Sequence, residues 1–144
     1  MSLGYFYVEI GLVFRDSMLI SRLLFSSEVW LRVKKDQIKK LADIDELYLV
    51  RILGLKQTVA KEGLYLETGK YPVSFIVKQR RLMYFWFLLN KADRVLTSRV
   101  LNAQILKTEK YDWYELVLSD RKELNIDLSD NGIKCMPKGK FKQY

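Results

Sequence analysis

The sequence predicts an all-α fold, a compact helical bundle of about five to six helices around a central apolar helix at about residues 73–90. Three observations lead there. Apolar residues recur at i, i+3 and i+4 along most of the chain, which is the period of one helical side. No stretch alternates apolar and polar residues as a half-buried strand does. The run 82–89 holds no polar residue at all, and a helix apolar all round needs neighbours on several sides.

Taken in order, residues 5–25 are apolar on most sides, with Glu9, Arg15, Asp16 and Arg22 as the only charges. Helical spacing groups Val8, Leu12, Arg15, Leu19 and Leu23 on one side and Phe6, Ile10, Val13 and Ile20 on another. Such a helix is either covered on both sides or left with an open flank. Gly11 lowers helix propensity and marks a close crossing. Ser26, Ser27 and Glu28 interrupt the pattern ahead of Val29 and Trp30, which are expected to anchor on the core.

A second helix is expected over 35–53, with Asp36 at its positive end and Gly54 as its stop. Its stripe is Ile38, Leu41, Ala42, Tyr48, Leu49 and Ile52, and Asp45 falls inside it. A buried carboxylate needs a cation or several donors. Arg15, Arg80 and Arg81 are the candidates, with the pair Asp45 and Arg80 as the working assignment. After a linker at 55–59, residues 60–68 make about two helical turns. Gly69 suits the left-handed closing position and Pro72 the start of the next helix. Along that central helix Ile76, Arg80, Met83 and Phe87, with Val73 and Val77, share a side, and Ser74, Lys78 and Arg81 lie on another. A polar break at 90–93 leads to a helix at 94–106 packing through Val95, Leu96, Val100, Leu101 and Ile105. A second break at 107–110 leads to a helix at 112–124 capped by Asp112, with Trp113, Leu116, Val117 and Leu124 inward. The remainder is read as a polar, basic tail, 125–144, with a weak helix at 129–136 capped by Ser129 or Asp130 and the basic end KGKFKQY.

The 144 residues are thus expected to form one domain over 1–124 plus that tail. A net charge of +8 without histidine points to a polyanionic partner, nucleic acid before acidic membrane or protein. One cysteine, Cys135, excludes an internal disulfide and suits a reducing compartment. The apolar runs are too short to cross a bilayer and no secretory signal is present, so the expected location is intracellular, nucleus or cytoplasm. Zinc ligands are lacking, and no cofactor is expected.

No phosphate-cradling glycine loop, nucleophile elbow, HExxH or CxxC occurs. Asp43, Asp45 and Glu46 share one helix, but neighbouring residues there point apart and make no metal clamp. The remaining candidates are cations: Lys78 and Arg81 on the central helix, Lys56, Lys61 and Lys70 before it, and Lys40 on the second helix. Spaced along helices and approach loops they can meet successive phosphates, with Tyr65 or Tyr71 stacking on a sugar or base. The plainer reading of the same residues is a solvated charged face.

The strings FRDSMLISRLLFSSEVW, DIDELYLVRILGL, KEGLYLETGKYPVSFIVKQRRLMYFWFLLN and KYDWYELVLSDRKELNIDL resemble the C-terminal part of the reverse transcriptase of LINE-type, non-LTR retrotransposons. The resemblance covers residues 4–142 and implies the helical thumb and the segment after it, the thumb's implied role being to hold the template and primer duplex by contacts to the backbone. The palm motif, an aromatic residue followed by Ala-Asp-Asp, is absent, which implies a noncatalytic module. The loop LGLKQTVAKEGLYLETG departs from the family's loop, which is richer in Ser, Thr and Pro.

Two functions are therefore expected. The first is sequence-nonspecific binding of a DNA, RNA or hybrid duplex through phosphate contacts. The alternative is a helical interaction module that forms a homodimer through its apolar N-terminal helix.

Overall fold

The computed structural model describes residues 3–31, 33, 35–56, 58–91, 95–107, 112–127 and 129–137, with side chains from Tyr7 onward. The expected basic end KGKFKQY, the side chain of Phe6 and most of the breaks at 90–93 and 107–110 lie outside the described residues. Among these the chain is all-α, without a strand. The helices are α1 Leu3–Phe14, α2 Ile20–Leu23, α3 Lys35–Ile52, α4 Lys61–Thr68, α5 Val73–Leu89, α6 Leu96–Leu106, α7 Trp113–Glu123 and α8 Asp130–Cys135. Contacts group into two compact units: Met1–Phe25 with Val33–Ile76 as unit 1, and Ser26–Arg32 with Val77–Tyr144 as unit 2. Helix α5 gives its first turn to unit 1 and the rest to unit 2.

In unit 1, α1 and α2 are joined by a π-helical turn, Arg15–Leu19, which closes when the Ile20 N–H donates to the Arg15 carbonyl five residues back. An α-helix would turn Arg15 and Ile20 well apart, whereas the π spacing puts both on the same side. Both are buried, as is Leu24. Gly11 marks the close crossing that its position suggested, because a Cβ there would stand 2.9 Å from Ile52 Cγ2. The core is completed by Leu49, Val50, Leu64 and Val73. Helix α4 ends on Gly69 at φ +61°, whose N–H donates to the Leu66 carbonyl. The Pro72 carbonyl then accepts from the Ile76 N–H, so the proline stands just ahead of α5.

Asp45 is fully buried, and its partner is Arg15, not Arg80. Arg15 Nε and Nη2 donate to Asp45 Oδ1 and Oδ2, both at 2.6 Å. Nη2 also donates to the Tyr71 carbonyl at 3.1 Å and Nη1 to Asp16 at 2.9 Å. The inner-face position that the π turn gives Arg15 explains the assignment. Burial works against the guanidinium's charge, but the bonds and attraction of Asp45 and Asp16 outweigh it and raise the Arg15 pKa. Close by, the Tyr65 hydroxyl is buried without a hydrogen-bond partner among the described residues. Burial first, then the charges of Asp45 and Glu46, push its pKa above the ordinary tyrosine value.

In unit 2 the core is Leu82, Phe85, Leu88, Leu101, Tyr114, Val117, Ile126 and Ile133. The apolar end of α5 is therefore inward on one side, while Phe87 on the other is 44% exposed. Helix α6 is turned differently from its expected packing: Leu101 is buried, but Val95, Leu96 and Val100 are exposed. Residues 125–137 carry more than polar tail, since Ile126 and Ile133 enter the core. Asp130 holds the segment by accepting from the Tyr114 hydroxyl and from Arg121 Nη1, both at 2.7 Å. Burial, followed by the bond to Asp130, pushes the Tyr114 phenol up to about 12.

Asp45→Ala leaves a buried guanidinium without its counter-charge and should cost about 3–5 kcal/mol in urea denaturation. Arg15→Met combined with Asp45→Leu should cost far less, because it removes both charges together.

Candidate functional site

Four of the six cations expected to meet phosphate pair with carboxylates of the same chain. On α5, Lys78 Nζ pairs with Glu123 at 2.6 Å and Arg81 Nη1 with Asp120 at 2.6 Å. The i, i+3 spacing of the two cations meets the reversed i, i+3 spacing of the two acids on α7, so the pairs form in antiparallel order. Arg81 is buried, and its Nε has no hydrogen-bond partner among the described residues. Burial raises the Asp120 pKa despite the opposing pull of Arg81. In unit 1, Lys61 reaches Glu46 at 2.5 Å and Asp43 at 3.3 Å, and these bonds raise its pKa. Lys70 pairs with Asp16 at 2.5 Å. Lys40 and Lys56 are exposed and have no carboxylate partner among the described residues. Within each unit, then, Lys61, Lys70, Lys78 and Arg81 are held by carboxylates, and Lys40 and Lys56 are not. The signal for the α5–α7 pairs was present as KxxR in one helix and DxxE in another.

Two further surfaces, one in each unit, carry exposed apolar or aromatic side chains. The first is the outer side of α1 and the turn after it. Tyr7 is 68% exposed, Val13 67%, Ile10 and Phe14 50% each, and Met18 41%. Phe14 stacks on Tyr48 of α3 with ring centroids 6.3 Å apart, and Ile44, four residues before Tyr48, is also exposed. Of the two arrangements open to this helix, covered on both sides or left with an open flank, the open flank is the one found among the described residues.

The second lies in unit 2, where Gln79, Arg80, Met83, Tyr84, Trp86 and Phe87 line a groove of about 740 Å³ that Glu28 also borders. Arg80 belongs here rather than beside Asp45. The Trp86 Nε1–H donates to the Met136 carbonyl at 2.9 Å, which fixes the indole that lines the groove. Trp113 Nε1 donates to the Glu28 carbonyl at 2.8 Å, and its ring meets Tyr84 edge-on at 5.8 Å. Tyr84 and Phe87 stack at 6.1 Å, and Lys91 Nζ sits 4.4 Å from the Phe87 ring centre.

Among the described residues, no group of three His, Cys, Asp or Glu side chains comes together to hold a metal. No described helix is long and apolar enough to cross a membrane. No family model, curated protein or solved structure matches the chain.

The direction of the Asp120 shift sets a pH dependence. A carboxyl whose folded pKa lies above its unfolded value contributes stability that is full below the unfolded pKa and lost as pH rises through the folded one. Wild-type protein should therefore lose stability relative to Asp120→Asn as pH rises from about 4 to neutral, the range above the ordinary carboxyl value. Urea midpoints of both proteins across that range are the measurement.

Proposed function

We propose that the chain is a helical interaction module that self-associates through the outer side of α1. The carrying observation is the run Tyr7, Ile10, Val13, Phe14 and Met18, five large apolar side chains exposed along one helix and its continuation. Isolated exposed apolar residues are ordinary, but a contiguous set of this kind marks an interaction site. A second copy presents the same side, so a two-fold contact would cover both at once. Ring contact between Phe14 and Tyr48 extends the surface onto α3, where Ile44 adds to it.

A second reading, sequence-nonspecific binding of nucleic acid, is favoured by how the charge is distributed. Unit 2 holds 15 Lys and Arg against 9 Asp and Glu, which is +6 of the chain's +8. The resemblance to the thumb of LINE-type reverse transcriptases points the same way. The pairing of Arg81 moves the expected contact away from that residue, because Arg81 would have to leave Asp120 buried and uncompensated to reach a phosphate, whereas Lys78 is paired only with the exposed Glu123.

Light scattering on eluting protein tests the first reading. Mass should rise with concentration toward that of a dimer, and Ile10→Asp with Val13→Lys should weaken the association at least tenfold. Both positions are exposed, so the monomer's stability should change by no more than about 0.5 kcal/mol. A strict monomer at every concentration, with wild-type α1, rejects the reading.

A further inference from the structure

The groove in unit 2 has ring walls and Arg80 in its lining, and Lys91 stands over the ring of Phe87. Phe87 is 44% exposed and stacked on Tyr84, and the Lys91 ammonium lies 4.4 Å from its ring centre. An exposed ammonium over a ring is held less firmly than a stacked base, so a base can take its place. The displaced ammonium would then be within reach of the phosphate that accompanies the base. Unit 2 as a whole is strongly basic, which draws a polyanion to it. Glu28 is the exception on the groove's border, and its carboxylate would repel a phosphate passing near it.

We propose that this groove binds single-stranded nucleic acid, with a base stacked on Phe87 and the adjoining phosphate met by Lys91. The proposal rests on the reading of unit 2 as a polyanion-binding unit, and adds the ligand class and the residues. Rings accept any base face, whereas a duplex keeps its bases stacked on each other and offers only its backbone. The groove therefore prefers unpaired strand, with little regard for sequence.

Fluorescence anisotropy of a labelled oligonucleotide of about 12 nucleotides, a length typical of one binding site, is the test. Phe87→Ala should weaken binding about tenfold, the loss of one stacked base. Lys91→Gln should weaken it and lower the salt slope by about 0.7, the value for one phosphate contact on a single strand. Glu28→Gln should strengthen it. Binding that ignores Phe87→Ala and Lys91→Gln overturns the groove assignment and leaves the polyanion reading of unit 2 standing. Absence of binding at low salt overturns both. A duplex bound as tightly as the single strand, with equal sensitivity to Phe87→Ala, overturns the ligand class. Lys91 is exposed, so its substitution remains informative even if Phe87→Ala were to disturb folding.

Discussion

The bidentate bond between Arg15 and Asp45 is the constraint from which the arrangement of unit 1 follows. Withdrawing two charges from water costs several kcal/mol for each ion, and only close geometry with further donors and acceptors offsets it. Both conditions hold here: two 2.6 Å bonds join the pair, while Asp16 and the Tyr71 carbonyl take up other donors of the guanidinium. The π turn is the local device that makes this compatible with an apolar inner side, since it aligns Arg15 with Ile20. The rotation of α1 follows. Turning the helix to bury Ile10 and Val13 would gain about 1.5–3 kcal/mol for each side chain. It would also strand Arg15 and Asp45 from one another, at about 3–5 kcal/mol before any loss of packing at Ile20. The two terms are of comparable size, so the charge pair together with the Ile20 and Leu24 packing decides, and the apolar side stays outward.

The same logic separates the cations of unit 2. Glu123 is well exposed, so its pair with Lys78 is worth about 1 kcal/mol or less and is weakened by salt. Lys78 can exchange it for another anion. Arg81 and Asp120 are both buried, and neither can leave without stranding the other. A basic residue's value to a partner thus depends on how deeply its internal counter-charge lies. Total charge is an unreliable guide to which residues touch a ligand.

Much of the fold was legible in the sequence, and the reasons are local. Gly69 and Gly54 adopt the left-handed conformation that closing a helix requires, at φ +61° and +65°. The Ser129 hydroxyl accepts from the Gly132 N–H and caps α8. Helix α3 runs Lys35–Ile52, within a residue of its expected end. What could not be read was tertiary. Helical period placed Arg15 inward but could not choose among three arginines for Asp45, and a π turn leaves no simple periodic mark. On α6 two apolar sides compete, and Leu101 with the small buried Ser98 prevails over Val95, Leu96 and Val100. Ile126 and Ile133 are too few and too widely spaced to show a period, yet both reach the core. The open side of α1 was recognised as apolar from its composition, but only its orientation shows which residues stay outside.

The most direct test of this account is the side-chain amide-type proton of Arg15 followed by nitrogen-edited NMR. Held against Asp45 in a buried site, the Arg15 Nε–H should exchange with solvent far more slowly than that of exposed Arg51, and Asp45→Asn should abolish the difference. An Arg15 Nε–H exchanging as fast as that of Arg51 in the wild-type protein would contradict the buried pair, and with it the orientation of α1.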